Sequence, residues 1–183
     1  ASLFSFHRLR DRSYVVLHAG SGGMAKLWSA QRLAEVGDAL ARSHGLRVLL
    51  TGSEGERTLV GRVEAAMEEA TVNLVGATGL GQLAAVLASA ALVVGPDSGP
   101  LHLATAFRTP TVHLFGPSDP VVYGPWGDPR RHRVVRAGIF CSPCHELHHC
   151  PRRLPGPPCM DAVSVDEVLE QAKGLLELRQ GVD

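Results

Sequence analysis

A chain of 183 residues, 45% hydrophobic and 20% charged, supports one sizeable core or a domain with an appendage. Its formal net charge of zero removes any bulk electrostatic argument for binding nucleic acid or an anionic membrane. No apolar run approaches membrane-spanning length and no signal peptide is visible.

The first residue, Ala1, is not Met, so the chain is expected to start inside a longer product or to have been trimmed. Residues 1–13 are basic and irregular (His7, Arg8, Arg10, Arg12) and read as an interdomain linker remnant; residues 14–183 read as one domain. Tyr14-Val15-Val16-Leu17 predicts the first strand. The loop after it, His18-Ala19-Gly20-Ser21-Gly22-Gly23, has glycines that let backbone approach a ligand closely. Lys26 follows. It is either a point-charge partner for phosphate or an ordinary solvated lysine. A helix from about Ser29 to Ser43 ends at Gly45.

Arg47-Val48-Leu49-Leu50 predicts the second strand. Ser53 and Glu56 fit a capping box for the next helix, which runs to about Ala70. Glu54 is free of that duty and sits at a strand end, where an acid in a Rossmann-like unit accepts from ribose hydroxyls. Val72–Val75 is a short third strand. The loop Gly76-Ala77-Thr78-Gly79 lies beyond it, and a helix spans about Gly81 to Ser89.

The run Ala90–Val94 reads as a buried parallel strand, which Gly95 and Pro96 end. Asp97-Ser98-Gly99 then forms a polar turn, and Pro100 opens a helix. Strand, small-residue turn and helix N-terminus together make an anion site. A carboxylate among phosphate-binding amides must face hydroxyls or a cation, as a sugar diphosphate would provide. The bland alternative is that Asp97 or Ser98 caps the helix. Thr111–Phe115 is the fifth strand, with His113 read as packed. The loop Gly116–Trp126 is rigid and aromatic, fit to wall a pocket or pack against another domain. Arg133–Arg136 reads as an edge strand. Ser164 and Glu167 form a capping box for the final helix, whose apolar face carries Val168, Ala172 and Leu175.

All four cysteines lie between Cys141 and Cys159. Cys141, Cys144, Cys150 and Cys159, with His145, His148 and His149 among them, offer the ligands a structural zinc needs. Two disulfides or reduced thiols are the alternatives.

Strands alternating with helices predict an α/β fold, a doubly wound parallel sheet of Rossmann-like order. Strands one and four then meet at the switch point, and their loops converge on one ligand. The stretches P-D-S-G-P-L-H-L-A from Pro96, T-P-T-V-H-L-F-G-P-S-D-P from Thr109, and H-A-G-S-G…K-x-W from His18 resemble the heptosyltransferase family, glycosyltransferase family 9. The resemblance covers almost the whole chain, but only the C-terminal half of these two-domain GT-B glycosyltransferases.

It implies an inverting transfer of heptose from ADP-heptose to a lipopolysaccharide core acceptor. The implied donor contacts are Gly20, Ser21 and Lys26 on the diphosphate and Glu54 on the ribose. Gly76 and Ala77 would lie against adenine, and Asp97, with Ser98 and Gly99 beside it, would meet the sugar. His102 would reach phosphate or sugar, or be a core histidine. Ala19 departs from the Pro of many members. The catalytic base is expected in an N-terminal domain, so these residues are expected to bind donor without transferring it. No cofactor is required for transfer, and zinc would be structural. The implied setting is cytoplasmic, at the inner face of the inner membrane, with a lipid-linked saccharide acceptor reached through the other domain and no nucleic acid. The alternatives are another GT-B nucleotide-sugar enzyme (a UDP-sugar transferase or an epimerase) and a non-enzymatic, zinc-stabilised interaction module.

Overall fold

The computed structural model describes residues 11–152 and 156–180, without the side chains of 179 and 180. The linker reading of residues 1–10 lies outside the described residues. Six strands form one parallel sheet: β1 (Tyr14–His18), β2 (Arg47–Thr51), β3 (Thr71–Asn73), β4 (Leu92–Pro96), β5 (Thr111–Leu114) and β6 (His132–Val135). Their order is β3-β2-β1-β4-β5-β6, so β1 and β4 are neighbours at the switch point, as the alternation of elements predicts. The helices are α1 (Ala30–His44), α2 (Arg57–Ala66), α3 (Leu80–Ala88), α4 (Gly99–Ala106), α5 (Pro120–Tyr123), α6 (Pro158–Asp161) and α7 (Val165–Gln180).

Because side chains alternate along a strand, β1 feeds two cores. Val15 and Leu17 pack with Leu33, Val36 and Leu40 of α1 and Val168 and Leu175 of α7. Tyr14 and Val16 face the other way, toward Val86 and Leu87 of α3 and Leu101 and Ala104 of α4. Among the described residues no helix is long and apolar enough to cross a membrane.

Local chemistry sets the boundaries. Gly45 ends α1 in the left-handed region, at φ 63°, with its N–H on the Ala41 carbonyl. Two expectations are corrected. α2 stops at Ala66 rather than near Ala70, because the Asp38 carboxylate of α1 accepts the amides of Glu68 (3.0 Å) and Glu69 (2.9 Å) and draws them out of the helix. β4 does not end at Val94 but runs through Gly95 and Pro96, paired with His113 and Leu114. The Val93 amide donates to the carbonyl of Pro110, just before β5, and the Asp97 amide to that of Leu114 in β5. Pro96 falls between them, facing the side where pairing with β1 has already stopped at Val94, so its missing N–H costs nothing. Gly95 is required there by close approach: a Cβ would stand 2.3 Å from the His18 carbonyl oxygen.

Candidate functional site

The carboxyl ends of β1, β2 and β4, with the loop after β3, open on a cleft of about 460 Å³. Its polar lining includes His18, Ser21, Ser53 and Glu56. Leu80 and Leu83 of α3 supply apolar lining, with Thr78 before them. The N-terminus of α4 contributes Ser98, Gly99 and Pro100.

Ser98 takes the N-cap position of α4 in an extended conformation, but its side chain makes no capping hydrogen bond. Its hydroxyl is buried and has no hydrogen-bond partner among the described residues, and the residue is 7% exposed. Neither Ser98 nor Asp97 therefore serves as a side-chain cap. Asp97 is taken up from two sides. The Lys26 ammonium donates to its carbonyl oxygen at 2.8 Å and to Oδ2 at 3.2 Å, and His102 Nε2 lies 3.0 Å from Oδ1. Burial by itself would raise the Asp97 carboxyl; the His102 hydrogen bond and the Lys26 charge outweigh it and hold the group below the usual carboxylate range. Lys26 is not a solvated lysine: it is 8% exposed. His102, bonded to Asp97 and partly exposed, is not a core histidine.

The two glutamates after β2 part company. Glu54 is exposed and forms a two-point ion pair with Arg57, through Nε to Oε1 at 2.7 Å and Nη2 to Oε2 at 2.5 Å. The Arg57 hydrogen bond keeps its carboxyl below the usual range. It lies over Gly76, whose φ is 67° and where a Cβ would stand 2.1 Å from Glu54 Oε2. Glu54 and Gly76 thus meet each other and do not line the cleft. Glu56 does line it. Its Oε2 accepts from the Ser53 amide (2.7 Å) and hydroxyl (2.8 Å), which completes the capping box, while Oε1 lies over Gly20, 1.7 Å from where a Cβ would be.

Of the residues singled out from sequence, Ser21, Ser98 and Gly99 line the cleft. Gly20 lies under Glu56, and Lys26, Asp97 and His102 form a bonded group joined to the cleft through Ser98. The Ala77 amide turns back onto the Leu74 carbonyl at 3.1 Å. Sequence reasoning missed Glu56, because its capping role appeared to account for it, although one carboxylate oxygen is enough to cap. It also missed His18, whose Nδ1 lies 3.1 Å from Thr51 Oγ1. Burial pushes that imidazole's pKa down, against the pull of nearby Glu56. Its signal was position: the last residue of a central strand at the switch point.

His113 is fully buried, with Nε2 2.9 Å from Thr111 Oγ1 and 3.2 Å from Thr105 Oγ1. Burial first, then the neighbouring His102 and His132, push its pKa down to about 3.

Cys141, Cys144, Cys150 and Cys159 are all free thiols, so the disulfide alternative is not realised. Cys159 packs on Gly116, and burial, with Cys144 and Cys141 near it, raises its thiol pKa. Among the described residues, no three His, Cys, Asp or Glu side chains are arranged to hold a metal ion.

The sequence profile of glycosyltransferase family 9 (heptosyltransferase) matches residues 2–151. The chain is 31% identical over 160 residues to lipooligosaccharide heptosyltransferase 2 of Campylobacter jejuni, covering 86% of this chain and 49% of that protein. The solved structure of Escherichia coli ADP-heptose LPS heptosyltransferase II matches with a TM-score of 0.79 at 27% identity, over 97% of this chain and 50% of the other. The iron-containing dodecameric glycosyltransferase TibC of enterotoxigenic E. coli, 21% identical, shares the fold with a TM-score of 0.70 over 93% of this chain and 46% of its own. The chain spans about half the length of the curated relatives it matches.

Proposed function

The chain belongs to glycosyltransferase family 9, and on that premise we propose that it is the donor-binding half of an inverting GT-B enzyme that moves heptose from ADP-heptose to a lipopolysaccharide core acceptor. The observation that carries this reading is the meeting of two strand-to-helix loops on one cleft. From β4 comes the α4 N-terminus, with its first-turn amides and the Ser98 hydroxyl that has no partner among the described residues; from β1 comes the loop through Gly20, Ser21 and Gly22. Amides at a helix N-terminus and in a glycine loop bind phosphate through their N–H groups and the helix dipole.

In this assignment Ser21, Ser98 and the Gly99 amide meet the diphosphate. Glu56, in place of Glu54, accepts from the ribose hydroxyls. The base lies along Leu80 and Leu83, near the backbone of Gly76 and Ala77. Asp97 accepts from sugar hydroxyls and His102 donates to sugar or phosphate. Chemically, an acceptor hydroxyl attacks the anomeric carbon and ADP leaves. Charge develops on the diphosphate, where Lys26 and the positive end of α4 stabilise it. The carboxylate base that deprotonates the acceptor belongs to the other half of such an enzyme. Holding the acceptor at attack distance supplies roughly 7–11 kcal/mol of the barrier. Donor binding without transfer is therefore the expected behaviour of these residues alone.

Calorimetry with ADP, AMP and UDP tests the reading. ADP should bind more tightly than AMP, because the diphosphate meets the two loops; AMP binding as tightly as ADP would remove the phosphate assignment. A lipid-linked acceptor would put the reaction on the cytoplasmic side, against the inner face of the inner membrane.

For the cysteine segment we propose a structural zinc on Cys141, Cys144, Cys150 and Cys159. The C-x2-C spacing and the confinement of all four cysteines to the stretch from Cys141 to Cys159 support it. The four thiols do not close on a point as placed, so loading would require the segment to adjust. Elemental analysis of chain purified without chelator tests it, and a stoichiometry near zero excludes it.

A further inference from the structure

The turn Met24–Lys26, just after the cleft loop of β1, is held from outside. The Ala25 amide donates to the Leu147 carbonyl at 2.9 Å. That carbonyl oxygen lies 2.2 Å from where a Cβ on Gly23 would stand. Gly23 has extended backbone, at φ −151°, so glycine is needed there for close approach and not for its conformation. The segment that carries Leu147 is anchored on the loop after β5. The amides of Cys144 and His145 both donate to the Pro117 carbonyl, at 3.1 and 2.8 Å, and the Ser142 hydroxyl donates to the Gly116 carbonyl at 2.6 Å. Residues 142–147 therefore form a strap from the β5 loop to the β1 loop.

What the strap holds bears on the cleft from both ends. Ser21 and Gly22, on one side of Gly23, line the cleft. Lys26, next to Ala25, reaches Asp97. We propose that Leu147 is a positioning residue for the donor: its backbone carbonyl fixes the Met24–Lys26 turn, and through it the Ser21–Gly22 backbone and the Lys26 ammonium. The cysteine-bearing segment is then part of the donor site's framework. The proposal rests on reading the cleft as a nucleotide-diphosphate site.

The test uses two variants that reach the strap from opposite ends, each read by ADP affinity and by hydrogen exchange at the Ala25 amide. Gly23→Ala puts a methyl where the Leu147 carbonyl lies. Ser142→Ala removes the anchor on Gly116 and touches neither the β1 loop nor the cleft. Gly23→Ala should speed Ala25 exchange and weaken ADP binding by about tenfold each, on the scale of one buried hydrogen bond and its neighbours. Ser142→Ala should move both in the same direction by a few-fold, while exchange at Val93 in β4 stays unchanged. Unchanged Ala25 exchange in both variants, or faster exchange with unaltered ADP affinity, overturns the proposal. If the unsubstituted chain binds no ADP, the cleft reading itself fails and this proposal falls with it. If the unsubstituted chain binds ADP and both variants bind it equally well, only the positioning role fails.

Discussion

Lys26 Nζ contacts Asp97 twice, at the carbonyl oxygen (2.8 Å) and at Oδ2 (3.2 Å), and so ties the loop after β1 to the loop after β4. Both side chains are nearly buried, 11% and 9% exposed. Removing one partner of such a pair leaves a charge stranded in a poor dielectric, whereas removing both can be close to neutral. Lys26→Met should cost about 3 kcal/mol of stability, the lower end of the range for a buried pair because His102 still holds the other oxygen. Lys26→Met combined with Asp97→Asn should recover most of that loss. Urea unfolding of the parent, both single variants and the double variant checks this, and a double variant as unstable as the sum of the singles contradicts it.

The assignment of the two glutamates makes opposite predictions for neighbouring residues. Glu56→Gln keeps an acceptor for Ser53 but weakens the acceptor offered to ribose. It should narrow the preference for ADP over 2′-deoxy-ADP by about 1.5 kcal/mol, the scale of a hydrogen bond to a charged group. Glu54→Gln should leave that preference alone, since its carboxylate is engaged by Arg57 outside the cleft. Calorimetric titration of both variants with both nucleotides decides it; the reverse pattern would restore Glu54 to the ribose.

Asp97→Asn should weaken binding of the sugar nucleotide more than binding of ADP, because its carboxylate is assigned to sugar hydroxyls. Competition between ADP-heptose and ADP measures the ratio. An equal loss for the two ligands would mean that Asp97 acts only by holding Lys26 and His102 in place.

Acid should unfold the chain partly through its buried imidazoles. His113 has a folded-state pKa of about 3 against an ordinary 6.5, so between those values the unfolded chain binds the extra proton. Its contribution to stability is complete above pH 6.5 and is lost as pH falls toward 3. His18, also shifted down by burial, acts with the same sign. His113→Phe should flatten the fall in melting temperature between neutral and mildly acidic pH. An identical slope in variant and parent would mean that other groups govern acid unfolding.

Gly95→Ala should be among the most damaging single-methyl additions in the sheet. The new Cβ would meet the His18 backbone, which cannot move without shifting β1, and overpacking of this kind costs about 1–3 kcal/mol or more. Thermal unfolding checks it.

The architecture was legible because it rests on local apolar pattern. Val15-Val16-Leu17, Val48-Leu49-Leu50 and Leu92-Val93-Val94 are continuous buried runs, as strands covered on both faces must be. The spacing of helices between them then leaves few topologies, and the observed order is the Rossmann one. What escaped was set by contacts between distant residues. Asp38 ends α2 from another helix. Lys26 finds Asp97 across much of the chain, which no spacing rule reports. Glu54 and Glu56 were separable in sequence only by the capping box, and that rule assigns one oxygen of a group that has two. Where the cysteine segment runs could not be read either, because it is placed by backbone bonds to Pro117 and Gly116 and not by its own periodicity.

The central place of β1 also shapes how the chain reaches this state. One edge of β1 is covered by β2, the next strand in the chain, but its other edge waits for β4, which comes only after α2, β3 and α3. On a ribosome the first half of the sheet therefore emerges with Val15, Val16 and Leu17 presenting an open hydrogen-bonding edge, the kind of surface that recruits stray strands. Parallel pairing at such separation is slow, so that exposure lasts. A nascent chain with only the residues before Leu92 released should bind a holding chaperone at β1, and one with Pro96 released should have that edge of β1 covered.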